Sequence, residues 1–233
     1  MLKVSPLLEC FAKAEFQFAG VHGMRIATVN INGTNKETNR SAEDRLTGDY
    51  VADLSAIPKR LVVGVEAPQW LSEFGIDAPS GLLEYRQIED GTTVVRLHHQ
   101  QYLLISGTSI MTGLPLGSSV FDLDEGRHGN VLVLDYECAE FAIGGPHVGA
   151  LLAELCPMDL ASAPDGVWLV TRMAHCEVSL QLGGGNDAAC RVICSPAEGQ
   201  FLFGIIEEVI NEHDGSMFGF HDYLTIVENG GDH

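Results

Sequence analysis

The chain has 233 residues, and thirty-two Asp and Glu against thirteen Lys and Arg give it a formal net charge of −19. Such a field repels phosphate backbones and anionic lipid, which argues against nucleic-acid or peripheral-membrane binding. No apolar run approaches the roughly 18 residues of a membrane-spanning helix, and the opening MLKVSPLLECFA lacks the apolar stretch of an export leader, so a cytoplasmic protein is expected.

In chain order, Ser5-Pro6 opens a first helix, with Ser as N-cap, Pro at N1, and Leu7, Phe11 and Cys10 facing inward. Ala27, Val29 and Ile31 alternate as a strand does, and residues 33–50 form a polar, turn-rich loop. Trp70, Leu71 and Phe74 recur at helical spacing before Gly75, which is placed to end that helix. Strands follow at Thr93-Val95-Leu97, 102–106 (YLLIS), 131–134 (VLVL) and 141–143 (FAI). A helix from Pro146 to about Cys156 carries Val148, Leu151, Leu152 and Leu155 on one face. Further strands are expected over 167–173 (VWLVTRM), at Val178-Leu180-Leu182 and at Cys190-Val192-Cys194. Gly183-Gly184-Gly185-Asn186-Asp187 between the last two reads as a hairpin loop, because no helix start and no Lys follow it as a phosphate cradle requires. Ser195-Pro196-Ala197-Glu198 is a capping box opening a helix whose stripe is Phe201, Leu202, Ile205, Ile206, Val209 and Ile210.

A repeat emerges when residues 53–106 are laid on 135–194. One strand runs from Asp53-Leu54 to Gly64 in the first copy and from Asp135-Tyr136 to Gly145 in the second. Each is followed by a short helix, with Trp70-Leu71 falling on Leu151-Leu152, and then by two strands. Two β-α-β-β units can cover each other's bare sheet faces. The expected fold is therefore α+β with mainly antiparallel sheets. It divides into an N-terminal helix, strand and polar loop (1–50), a first repeat unit (51–107), a second (131–212) and a C-terminal tail (213–233). The tail's Met217, Phe218, Phe220 and Tyr223 suit either docking on a partner or packing on this chain's own core.

The stretch FAIGGPHVGALLAELCPMDL (141–160), ending in Cys156-Pro157-Met158-Asp159-Leu160, resembles the gamma subunit of heterotetrameric sarcosine oxidase. Ala52-Asp53-Leu54-Ser55, the HHQQYLLISG run (98–107) and the opening Ser5-Pro6-Leu7 resemble the same superfamily, that of the folate-binding domain of glycine-cleavage T-proteins. The likeness spans about residues 50–210. It implies a T-protein-like fold and a non-catalytic subunit of a flavoenzyme complex in one-carbon metabolism, oxidising N-methylated amino acids or amines. In such complexes FAD, FMN, NAD, folate and zinc belong to partner subunits, and the gamma chain has no catalytic, cofactor or metal residues of its own. The scarcity of charge (19%) beside 45% hydrophobic residues agrees with a surface hidden against partners.

The alternative is a stand-alone folate binder or aminomethyltransferase. The T-protein family places its working Asp just after a Gly-rich turn, where this chain reads Asp90-Gly91-Thr92-Thr93-Val94. Threonines stand where an acid is wanted, and at 233 residues a chain without that family's C-terminal domains is expected. Asp53 and Arg96 are the residues to test first under this alternative.

Other chemistry finds little support in spacing. His98 and His99 point oppositely if they lie on a strand. His147 near a helix start, and His175 beside Cys176, lack an orienting third group in sequence. His213, His221 and His233 sit in a Gly- and Asp-rich tail, and Ser106-Gly107 lacks the glycine of a nucleophile elbow. Six cysteines (10, 138, 156, 176, 190 and 194) include no C-x-x-C pair and read as buried thiols of a reducing compartment.

Overall fold

The computed structural model describes residues 2–12, 14–30, 48–88, 91–107, 120–164, 166–183 and 189–230, the last five by backbone only. Most of the loop expected at 33–50, Asp90, Gly184 to Asp187 and His233 lie outside the described residues. The chain forms two compact units, Met1–Ala56 with Cys138–Asp165 and Leu169–His233, and Ile57–Glu137 with Gly166–Trp168.

The elements begin with β1 (Lys3–Val4), α1 (Leu8–Phe11), β2 (Phe16–Val21), β3 (Met24–Asn30) and β4 (Tyr50–Asp53). Next come β5 (Lys59–Val63), α2 (Ala67–Ser72), β6 (Tyr85–Gln87), β7 (Thr93–His98), β8 (Gln101–Ile105), β9 (Gly126–His128) and β10 (Val131–Asp135). The second half holds β11 (Ala139–Gly144), α3 (Val148–Leu155), β12 (Leu169–Met173), β13 (Cys176–Gln181) and β14 (Cys190–Cys194). It ends with α4 (Pro196–Glu212), β15 (Ser216–Phe218) and α5 (Phe220–Gly230). The expected α+β class with mainly antiparallel sheets is the observed one.

The repeat is present, with a strand exchange that the sequence hides. The described residues form a small sheet, β1-β3-β2, and two six-stranded sheets, one of order β6-β7-β8-β5-β10-β9 and one of order β12-β13-β14-β11-β4-β15. Each repeat's first strand (β5 or β11) carries its own three strands on one side. On the other side it accepts the strand that precedes the opposite repeat. The single long strands expected from Asp53 to Gly64 and from Asp135 to Gly145 are therefore two strands each, in different sheets. The first break has a local cause. The Asp53 carboxylate accepts the Ser55 N–H at 2.9 Å, turning the chain out of the ladder, and Pro58 has no N–H to give to it. The sequence segments 51–107 and 131–212 thus do not coincide with the compact units, because each sheet borrows a strand.

In the first unit, α4 packs on β11 so closely that a Cβ on Gly199 would lie 2.6 Å from that of Ala139. The buried face of α4 is Gly199, Leu202, Phe203, Ile206 and Ile210. This corrects the expected stripe: Phe201 is 58% exposed and Phe203 is fully buried. The Phe203 ring lies 5.1 Å from Phe11 and 6.0 Å from Phe141, centre to centre. Ser195 caps α4 by accepting the Ala197 N–H, whereas Ser5, the expected cap of the first helix, accepts the Leu7 N–H in the turn before it and leaves Leu7 as the N-cap of α1. β2 and β3 form a hairpin across His22 and Gly23, both at positive φ as a tight primed turn requires. A register shift near Gln17 and Phe18 breaks the expected alternation of β3, so Ile26, Ala27 and Thr28 are buried in succession.

The tail packs on its own unit. β15 runs parallel to β4, Phe218, Phe220 and Tyr223 are buried, and the Phe218 ring lies 5.3 Å from Tyr50. In the second unit, Val62, Leu71, Val94, Tyr102, Leu104, Val131 and Val133 form the core, with Trp70 and Phe74 packed against it. Gly75, at φ +73°, ends the second helix as expected, and the Ile76 N–H closes back on the Leu71 carbonyl. Trp168 is fully buried in this unit and donates its backbone N–H to Leu83, so the strand expected at 167–173 starts only at Leu169.

Candidate functional site

The polar interior of the first unit is built by adjacent strands. β4 ends at Asp53, whose side chain is fully buried and accepts the Ser5 hydroxyl at 2.5 Å. Ser55 accepts the Glu140 N–H, and Glu140, on β11, is fully buried. The β11–β14 register sets Glu140 opposite Ile193, so Arg191, two residues along β14, lies on the same face. Its Nε reaches Glu140 Oε1 at 2.7 Å. Burial pushes the Tyr50 hydroxyl far up, with Tyr223 adding to it, and burial likewise raises Tyr223 against the opposing pull of Arg191. Both tyrosines are therefore neutral near pH 7. Asp53 and Glu140 act here as ties between segments distant in sequence.

A second constellation lies at the surface of the same unit. Asp49, 2% exposed and one residue before β4, accepts the His147 backbone N–H on one carboxylate oxygen and the His147 Nδ1–H on the other, each at 2.9 Å. His147 is the N-cap of α3, and its side chain is 63% exposed. His213, the C-cap of α4, pairs through Nε2 with Glu154 Oε1 at 3.0 Å. The two imidazole centres are 6.3 Å apart. The orienting group that sequence spacing does not reveal for His147 is thus Asp49, ninety-eight positions upstream. Among the described residues, no hydroxyl or thiol is hydrogen-bonded to His147 Nε2.

In the second unit, the turn that should carry an acid in a T-protein joins β6 to β7. Gly91 is at positive φ, and the positions after it are the buried Thr92 and Thr93. Arg96 donates to the Ser80 and His99 carbonyls and stands 5.9 Å from the Tyr102 ring centre. Asp53 and Arg96 belong to different units, and each is engaged within its own. His98 ends β7 and His99 follows it, both exposed, with ring centres 5.3 Å apart. His175, at positive φ, is exposed, whereas burial and then Glu198 raise the Cys176 thiol, leaving it protonated rather than nucleophilic. Ser106 is fully buried and donates to the Gly107 carbonyl, and His221 is exposed. Five of the six cysteines are buried, and all six are free thiols. Among the described residues, no three His, Cys, Asp or Glu gather as metal ligands, and no helix is long and apolar enough to cross a membrane.

No family model and no curated protein matches the chain. Solved structures do. Glycine cleavage system aminomethyltransferase T from Bartonella henselae is similar over 95% of this chain, with a TM-score of 0.64 and 16% identity. A chain of heterotetrameric sarcosine oxidase from Corynebacterium sp. U-96, solved with pyrrole 2-carboxylate, is similar over 91% of this chain and 96% of its own, with a TM-score of 0.56 and 15% identity. The chain spans 61% of the length of the aminomethyltransferase. At such identities the likeness establishes the T-protein-like fold, and function rests on the residues.

Proposed function

We propose that this chain is a non-catalytic, gamma-type subunit of a heterotetrameric sarcosine oxidase-like complex, cytoplasmic, which oxidises an N-methylated amino acid or amine. The observation that carries the reading is the match to a chain of such an oxidase over nearly the full length of both chains. The described polar interior agrees with it. Asp53, Glu140, Arg191 and Arg96 hold segments of the fold together, and Thr92 and Thr93 follow the glycine where transfer chemistry wants an acid. In this reading FAD, FMN, NAD, folate and zinc sit in partner subunits, and this chain contributes surface and rigidity to their assembly.

A stand-alone folate binder or aminomethyltransferase is the second reading, favoured by the higher TM-score of 0.64 to aminomethyltransferase T. Isothermal titration of the isolated chain with tetrahydrofolate separates the two. The subunit reading expects no heat of binding in the micromolar range and no turnover of sarcosine or methylamine. Micromolar binding weakened by Asp53→Asn or Arg96→Gln would replace it with the second reading.

A further inference from the structure

We propose that His147 and His213 form a surface site for one divalent ion of the zinc, copper or nickel class, oriented by the carboxylates of Asp49 and Glu154. The two histidines are 66 positions apart in sequence (213 − 147), and the fold brings the N-cap of α3 beside the C-cap of α4. A carboxylate oxygen can only accept, so Asp49 fixes the His147 proton on Nδ1 and Glu154 fixes the His213 proton on Nε2. When neutral, each ring then presents its remaining nitrogen as a lone pair, Nε2 of His147 and Nδ1 of His213.

Metal-bound imidazoles commonly carry such a hydrogen-bonded carboxylate behind the ring, which sets the tautomer. A metal sits about 2.0–2.1 Å from an imidazole nitrogen, hence roughly 3 Å from the ring centre, so one ion spans two rings whose centres are about 6 Å apart. The observed separation is 6.3 Å. The rings are tilted 34° to each other, and a tetrahedral angle at the metal places their centres about 5 Å apart, so binding requires the 63% exposed His147 ring to move about 1 Å toward His213. The negative C-terminal end of the 17-residue α4 favours a cation and the positive N-terminal end of the shorter α3 opposes it, so the balance rests on the two carboxylates and the chain's charge of −19. Imidazole pairs select zinc, copper and nickel over calcium or magnesium. With two protein ligands, water fills the remaining positions, and the ion is exchangeable. A bound ion would clip the start of α3 to the end of α4.

The test is titration of the tag-free, chelator-stripped chain with Zn²⁺ by calorimetry, with Cu²⁺ electron paramagnetic resonance alongside. The expected result is one ion per chain, two coordinated imidazole nitrogens in the copper spectrum, and a melting temperature that rises with Zn²⁺. His147→Ala and His213→Ala should each weaken binding at least tenfold, and Glu154→Gln roughly ten- to a hundred-fold. Affinity unchanged in both histidine variants, or wild-type binding no greater than that of the double variant, would overturn the proposal. The copper spectrum of the wild type decides the matter even where a variant folds poorly.

Discussion

Glu140 on β11 and Arg191 on β14 form a buried ion pair, Oε1 to Nε at 2.7 Å, with the Glu140 side chain at zero exposure and Arg191 at 16%. Two charges withdrawn from water gain little net stability from each other, but either one alone is costly to bury. Arg191→Met should therefore destabilise the chain by about 3–5 kcal/mol, whereas the double change Glu140→Leu with Arg191→Met should recover most of that loss. Urea denaturation of the three proteins measures both. Equal stability of the single and double variants would contradict the pair's role as an interdependent tie.

Phe201 and Phe203 sit two residues apart on α4 with opposite surroundings, 58% and 0% exposed. Phe203→Ala removes a ring packed among Phe11, Phe141 and the α4 face, and should cost about 3–5 kcal/mol. Phe201→Ala should change the isolated chain by less than about 0.5 kcal/mol. Denaturation midpoints check the pair, and a reversed order would mean that the helix is rotated about its axis.

Alkaline pH should unfold the first unit. Burial raises the Cys190 and Cys194 thiols from 9.0 to about 12, and it raises Tyr50 and Tyr223 as well. A raised acid stays protonated in the folded chain after it has ionised in the unfolded one. The associated stability is fully present below pH 9 and is lost as pH rises from about 9 toward 12. Urea midpoints measured from pH 7 to 10.5 should fall over the upper part of that range, less steeply in Cys190→Ala. A flat profile would contradict the burial of these groups.

Much of this was legible in the sequence, for physical reasons. The glycine stop after α2, the apolar spacing of α3 and the serine cap of α4 act within a few residues, and the structure keeps them. The repeat was legible because each copy repeats the same local pattern. The strand exchange was not: apolar residues lie on both sides of the Asp53–Pro58 break, and strand partners are chosen at long range. The α4 stripe was misjudged at Phe201 because residues 201–206 are apolar nearly all round, and the close approach at Gly199 settles the rotation. The Asp49–His147 pair was invisible for the same reason of distance, since its halves are 98 positions apart. Met217, Phe218, Phe220 and Tyr223 suit docking and self-packing equally by sequence, and the pairing of β15 with β4 decides for self-packing.

As the proposed subunit of a flavoenzyme complex, this chain should travel with its partners. Co-expression of an affinity-tagged chain with its neighbouring genes, followed by mass analysis and flavin absorbance of the purified material, tests it most directly. Flavin-containing larger subunits should be recovered at equal stoichiometry, and the chain expressed alone should be colourless. Recovery of this chain as a colourless monomer in the presence of those partners would contradict it.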